Sequence, residues 1–251
     1  MSAGPEVTWS AGPVSLTAAS GSVVGYRYDA NYDVVHVAAD RALAVVADGM
    51  GSGPGSAAAG RTAVSTFVAA AAPGPAALLS AVADVQREVR AAGQGIGGLT
   101  GCTLTAFVGD GDRAWLVQLG DSRVYRLRNG LLELLTSDHT MAWLGVTHGW
   151  LTLDSEAGHR AGYHLTRYAG HPDAPEPDIL AVSLRPRDRL LLCTDGVHGQ
   201  LSYDHLQSAL AADRPPPSTV SRLLADTLQT GDDNATAVLI DVGAFTRPVG
   251  G

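Results

Sequence analysis

The sequence predicts an α+β domain in which a helical layer covers antiparallel β-structure. Three observations carry this. A short apolar run, 34–38, turns at Ala39-Asp40-Arg41 into a second run, 42–47, which is a hairpin pattern. Two Ala-rich segments with apolar residues at helical spacing follow, 54–72 and 76–92. Short alternating strands then run from 101 to 135, joined by Gly-Asp-Gly-Asp, Gly-Asp-Ser-Arg and Asn-Gly turns. Adjacent helices after a hairpin are expected to pack as a layer on a sheet.

In chain order, residues 1–13 hold Gly, Pro and Ala and are expected to be loose. A first strand is expected at 14–19. A polar loop, 25–33, feeds the hairpin. Pro54 suits the first turn of the first helix, and Pro73 and Pro75 separate it from the second. Strands are expected at 101–108, 114–119, 124–127 and 131–135. Residues 137–177 are irregular and rich in His, Gly and Pro, which in a compact domain suggests a functional flap. Strands at 179–184 and 188–193 follow. Ser202 can cap a helix through 211. Pro215 to Pro217 break the chain, and Ser218 can cap a last helix to about 228. A final strand is expected at 236–241.

Composition bounds the function. The 251 residues, 45% hydrophobic and 17% charged, suffice for one packed domain. A net charge of -8 argues against a nucleic-acid or anionic-membrane surface. Cys102 and Cys193 lie in apolar runs, so buried free thiols are expected. The N-terminus shows no signal-peptide pattern and no apolar run is long enough to span a bilayer, so a cytoplasmic location is expected.

The chemistry centres on Asp48-Gly49-Met50-Gly51, which closes the buried run 42–47. A carboxylate at a strand end, beside backbone that can approach a ligand closely, suits a hard cation. A Gly-rich turn can also be only a turn, and a phosphate-binding P-loop is excluded because the chain contains no Lys. Asp33 opens the hairpin that Asp48 closes, so both carboxylates fall at one end, although Asp33 alone reads as a turn residue. Asp195 repeats the strand-Asp-Gly pattern, and Asp233 precedes the last strand. Asp121 is either a turn residue or an acid aimed into a site. Clustered carboxylates repel one another, and burial raises their pKa, so such a set needs cations. Oxygen ligands without a His or Cys pair favour Mg or Mn over Zn. Arg27 offers a bidentate grip on phosphate. His139, His148, His159 and His171 read as turn or surface residues.

The order of these motifs resembles the metal-dependent Ser/Thr protein phosphatases of type 2C, in their bacterial form. The motifs are Arg27 with Asn31-Tyr32-Asp33, Asp48 to Gly51, Gly101-Cys102-Thr103 and Gly120 to Tyr125. Thr136-Ser137-Asp138-His139, Leu191 to Gly196 and Asp233 to Thr236 complete the set, spanning nearly the whole chain. The resemblance implies a four-layer α-β-β-α sandwich, two antiparallel sheets each flanked by a helix pair. It implies a catalytic domain over 14–243, with a flap at about 141–176 and loose residues at 244–251. It implies two Mg or Mn ions, both bridged by Asp48. Asp195 and Asp233 would complete one ion's sphere; the Gly49 carbonyl and Asp33 would serve the other, with Asn234 behind them. Asp121 with Asp195 would match a third, weaker site. The implied activity is hydrolysis of phosphoserine or phosphothreonine on a protein, by a monomer opposing a Ser/Thr kinase.

The chain departs from the family pattern in places. Arg27 lies four residues before Asn31 instead of three, and Tyr32 replaces the usual Glu or Gln. Ser52-Gly53-Pro54-Gly55 is closer to the sigma-factor-control phosphatases. Two alternatives follow: a catalytically weak pseudo-phosphatase or regulatory binding module of the same fold, or a phosphatase acting on a sigma-factor-control antagonist protein.

Overall fold

A computed structural model describes residues 4–12, 14–152 and 154–245. The hairpin forms as expected from β3 (Val34–Val37) and β4 (Leu43–Ala47), in register Val34 to Ala47. With β5 (Leu104–Asp110), β6 (Arg113–Leu119) and β9 (Asp178–Ser183) it makes a five-stranded sheet, ordered β3-β4-β5-β6-β9. The other sheet has six strands. They are β1 (Val7–Ala11), β2 (Val14–Val23), β7 (Arg123–Arg128), β8 (Leu131–Leu134), β10 (Arg189–Cys193) and β11 (Ala235–Phe245). Their order is β1-β2-β11-β10-β7-β8, and all strand pairs in both sheets are antiparallel.

Helices α1 (Pro54–Ala70) and α2 (Pro75–Gly93) cover the five-stranded sheet, packing Phe67, Leu78, Val82 and Val85 against Val45 and Leu104. Helices α6 (Tyr203–Ala211) and α7 (Pro216–Thr230) cover the other, with Leu206, Leu223 and Leu224 on Leu191 and Leu239. Between the sheets lie Val46, Phe107, Leu116, Leu190, Leu192 and Val238. This is the expected four-layer sandwich. It explains why β4 and β10 read as unbroken apolar runs: every residue in them is buried, because both faces are covered. Cys102 and Cys193 are buried free thiols. Among the described residues no helix is long and apolar enough to cross a membrane.

Several expectations need correction. Residues 7–11, expected loose, form β1 at a sheet edge, held by the buried Trp9, whose Nε1 donates to the Ala38 carbonyl at 2.7 Å. Residues 244 and 245, also expected loose, belong to β11; residues 1–3, 13 and 246–251 lie outside the described set. Pro216 starts α7 instead of breaking the chain, since the fixed φ and missing N–H of proline cost nothing in a helix's first turn. The expected flap contains two short helices, α3 (Met141–Thr147) and α4 (Glu156–Gly162). Their N-caps, Thr140 and Ser155, accept from the N–H groups of Trp143 and Gly158, a signal present in the sequence but unused.

Candidate metal-binding active site

Five carboxylates gather where strands from both sheets end. Asp33 enters β3 and Asp48 leaves β4, at one end of the hairpin. Asp121 sits in the turn between β6 and β7. Asp195 follows β10 and opens the one-turn helix α5 (Asp195–His198), and Asp233 precedes β11, the neighbour of β10. Asp48, Asp121, Asp195 and Asp233 line one cleft of about 240 Å³, together with Arg27, Gly49 and Asn234. Asp33 lies buried behind it.

The backbone holds these acids in place. The Asp48 N–H donates to Thr103 Oγ1 at 2.8 Å, and the Thr103 N–H donates to the Asp48 carbonyl at 2.8 Å. Gly49 passes so close to the polypeptide that a Cβ would stand 2.7 Å from the Ser56 carbonyl oxygen and 2.9 Å from that of Tyr32. Glycine is required there by the close approach. The Tyr32 N–H donates to Asn234 Oδ1 at 2.9 Å, and its carbonyl accepts from the Gly49 N–H at 3.2 Å. Thus Tyr32 serves the site through its backbone, and its side-chain type leaves those bonds intact. Asp121 is anchored by His198, whose Nε2 lies 2.9 Å from the Asp121 carbonyl oxygen. Arg27 reaches the cleft from an exposed loop held by its N–H to the Asp232 carbonyl at 2.8 Å. Its guanidinium stands 5.3 Å from the centre of the Tyr28 ring, a cation–π distance.

The electrostatics are those of a site short of positive charge. Burial pushes Asp33 up to about 7 and Asp121 up to about 8, with the charge of Asp195 adding to both. Asp48 is held well above the ordinary carboxyl range by burial, then by Asp195 and Asp33. Asp195 rises through burial and the charge of Asp233, while a hydrogen bond with Asp48 opposes the rise. Asp233 rises through burial. Asp33 Oδ2 accepts from Thr194 Oγ1 at 2.8 Å, but its Oδ1 is buried without a partner, as is Asn234 Nδ2.

Among the described residues no three His, Cys, Asp or Glu side chains stand close enough to form a metal cage by themselves. The strand-end carboxylates and Gly49 instead line a cleft with volume left for water. Such oxygen-rich surroundings suit Mg and Mn, which keep several waters. An unpartnered buried carboxylate oxygen and four mutually repelling acids fit divalent cations as the missing charge.

One expectation about the surroundings fails. His139 is not a surface residue but is buried, its Nδ1 accepting from the Gly120 N–H at 3.2 Å and its Nε2 3.0 Å from Asp178 Oδ2.

A family profile described as protein phosphatase 2C matches residues 27–239. This chain belongs to the protein phosphatase 2C family. The crystal structure of the Mycobacterium tuberculosis serine/threonine phosphatase PstP/Ppp is similar over 92% of this chain and 99% of that one, at 31% identity and a TM-score of 0.82. The catalytic domain of serine/threonine protein phosphatase PstP in complex with 2 manganese ions is similar over 92% and 99%, at 32% identity and a TM-score of 0.79. The curated Mycobacterium tuberculosis PstP is 35% identical over 155 residues, which are 59% of this chain but 30% of that protein. The match to Listeria monocytogenes Stp, 29% identical over 147 residues, covers 56% of each. The matched region is therefore only part of these curated relatives' length.

Proposed function

We propose that this protein hydrolyses phosphoserine and phosphothreonine in protein substrates, with Mg or Mn held by the strand-end acids. The observation that carries this reading is the convergence of Asp48, Asp121, Asp195 and Asp233 on one cleft, with Arg27 at its edge. Asp48 would bridge two ions, Asp195 and Asp233 would serve one, and the Gly49 carbonyl and Asp33 the other. Asp121 with Asp195 would hold a weaker third. When bound, these ions polarise the phosphoryl oxygens and lower the pKa of water in the cleft.

The chain's own residues supply the rest. Arg27 grips the phosphoryl oxygens, and the Tyr28 ring restrains its guanidinium. Asn234 and Thr103 hold the Tyr32 and Asp48 backbones, so the acids face the phosphate without reorganising. Water attacks phosphorus in line as the ester P–O bond breaks; the water gives up a proton and the Ser or Thr oxygen takes one up, so a free hydroxyl and inorganic phosphate leave.

The family relatives are named phosphatases, which supports catalysis over the non-catalytic alternative. The backbone of Tyr32 makes the hydrogen bonds to Asn234 and Gly49 that brace the cleft, and a Tyr in that position keeps them. Ser52, which prompted the sigma-factor-control reading, is exposed and is not among the cleft-lining residues. In this reading the protein acts as a cytoplasmic monomer opposing a Ser/Thr kinase. The test is turnover of p-nitrophenyl phosphate with Mn, expected to be lost with EDTA and in Asp48→Ala and Asp195→Ala. Full activity in both variants would remove the acids from the mechanism.

A further inference from the structure

With the phosphorylated side chain among the acids of this cleft, the flanking chain of a protein substrate meets the rest of its lining. That lining has a distinct chemistry. Besides the acids and Arg27, the cleft is lined by Met50, Leu99, Tyr163 and Leu165. Tyr163 is 83% exposed and Leu99 53% exposed. Elsewhere on the flap, Met141, Trp143, Leu144 and Trp150 are also exposed. Single exposed apolar residues are ordinary on any protein surface; several that line one binding cleft mark an interaction site.

The backbone under this group is fixed. The His164 N–H donates to the Ala161 carbonyl at 3.2 Å and the Met141 N–H to the His164 carbonyl at 2.8 Å, while Leu165 bridges to Thr140. Leu99 is seated on α1: a Cβ on Gly55 would lie 2.3 Å from the Leu99 carbonyl oxygen. Tyr163 therefore presents a large ring from an anchored main chain, which lowers the entropy lost on contact. Charge points the same way. Among the described lining residues Arg27 alone is cationic, and the phosphate claims it, so an acidic flanking residue finds no partner.

We propose that Tyr163, Leu165 and Leu99 form an apolar subsite that takes a large aliphatic or aromatic side chain adjacent to the phosphorylated residue. The position of the phosphate in this inference rests on the phosphatase reading above.

The experiment compares matched phosphothreonine peptides that carry Leu, Phe, Ser or Glu immediately before or after the phosphoresidue, with Mn. For wild type, kcat/KM is expected to be roughly tenfold higher for Leu or Phe than for Ser or Glu on one side, the effect of half-burying one such side chain. In Tyr163→Ser combined with Leu99→Ser the preference is expected to fall to about twofold or less. Equal rates across the wild-type peptides, or a preference that survives in the double variant, would overturn the subsite. Affinities of non-hydrolysable phosphonate versions of the same peptides for the Mn-loaded wild type give a second reading. If p-nitrophenyl phosphate is not turned over but the apolar preference in binding persists, the phosphatase reading falls and the subsite stands. If turnover is present and no peptide preference appears in rate or binding, the subsite alone is wrong.

Discussion

The Thr194 hydroxyl donates to Asp33 Oδ2 at 2.8 Å and accepts from the Thr236 N–H at 3.0 Å. One buried side chain thus links the six-stranded sheet to the acid that opens the hairpin of the other. It satisfies one oxygen of the Asp33 carboxylate, while Oδ1 is buried without a hydrogen-bond partner. Thr194→Val keeps the shape but strands a buried acceptor and a buried donor. Stability is expected to fall by about 1–3 kcal/mol, read by urea denaturation, and the Mn concentration giving half-maximal turnover to rise. Thr194→Ser, which keeps the hydroxyl, should behave as wild type.

Asp33 and Asp121, pushed up from 3.8 to about 7 and about 8, make the metal-free protein pH-sensitive. Each binds a proton more tightly folded than unfolded. Their stabilising contribution is complete below the unfolded pKa near 3.8 and disappears as pH rises through the folded values. With EDTA, Tm is expected to fall from pH 5 to pH 8. Mn at about 100 times its Kd should offset the fall by roughly 2.7 kcal/mol, because the cation replaces the lost protons. A metal-free Tm that climbs steadily over the same range would contradict this origin of the shifts.

Gly49→Ala places a Cβ against two backbone carbonyls, neither of which can move as a flexible side chain would. A loss of about 1–3 kcal/mol is expected. Mn affinity, measured by calorimetry on the folded fraction, should fall with it, since the displaced residue carries the carbonyl proposed to face the ion.

His139 links the flap to the loop bearing Asp121. Its backbone N–H donates to the Gly120 carbonyl at 2.9 Å while its ring accepts from the Gly120 N–H, which leaves Nε2 to donate to Asp178. Arg167 pairs with the same Asp178 at 2.6 Å. His139→Ala is expected to cost about 1–3 kcal/mol and to raise the KM for a phosphopeptide more than it lowers kcat. His139→Asn keeps an acceptor near the Nδ1 position and should restore Mn affinity without restoring the peptide KM. Equal effects of both variants on all three measurements would assign His139 a merely structural role.

Much of this protein was legible from its residues in order. The hairpin placed Asp33 and Asp48 at one end because antiparallel strands entered and left there must return to the same edge. The unbroken apolar runs at β4 and β10 announced strands covered on both faces, and the strand-Asp-Gly pattern at Asp48 and Asp195 identified both as candidate ligands. Ser202 capped its helix as expected, accepting from the His205 N–H. Local chemistry decides such features, so sequence suffices for them.

Other features depend on partners distant in sequence. β1 is too short to signal itself and exists because it pairs with β2 and because Trp9 finds the Ala38 carbonyl. The burial of His139 depends on Gly120 and Asp178 meeting around it. The place of Tyr32 in the cleft wall depends on its N–H meeting Asn234 and its carbonyl meeting the Gly49 N–H. The raised pKa values of the acids arise only when two sheets bring their strand ends into one desolvated place. The residues fixed which groups were available; the packing of one sheet on the other decided which of them feel each other's charge, because desolvation and Coulomb repulsion act through space and not along the chain.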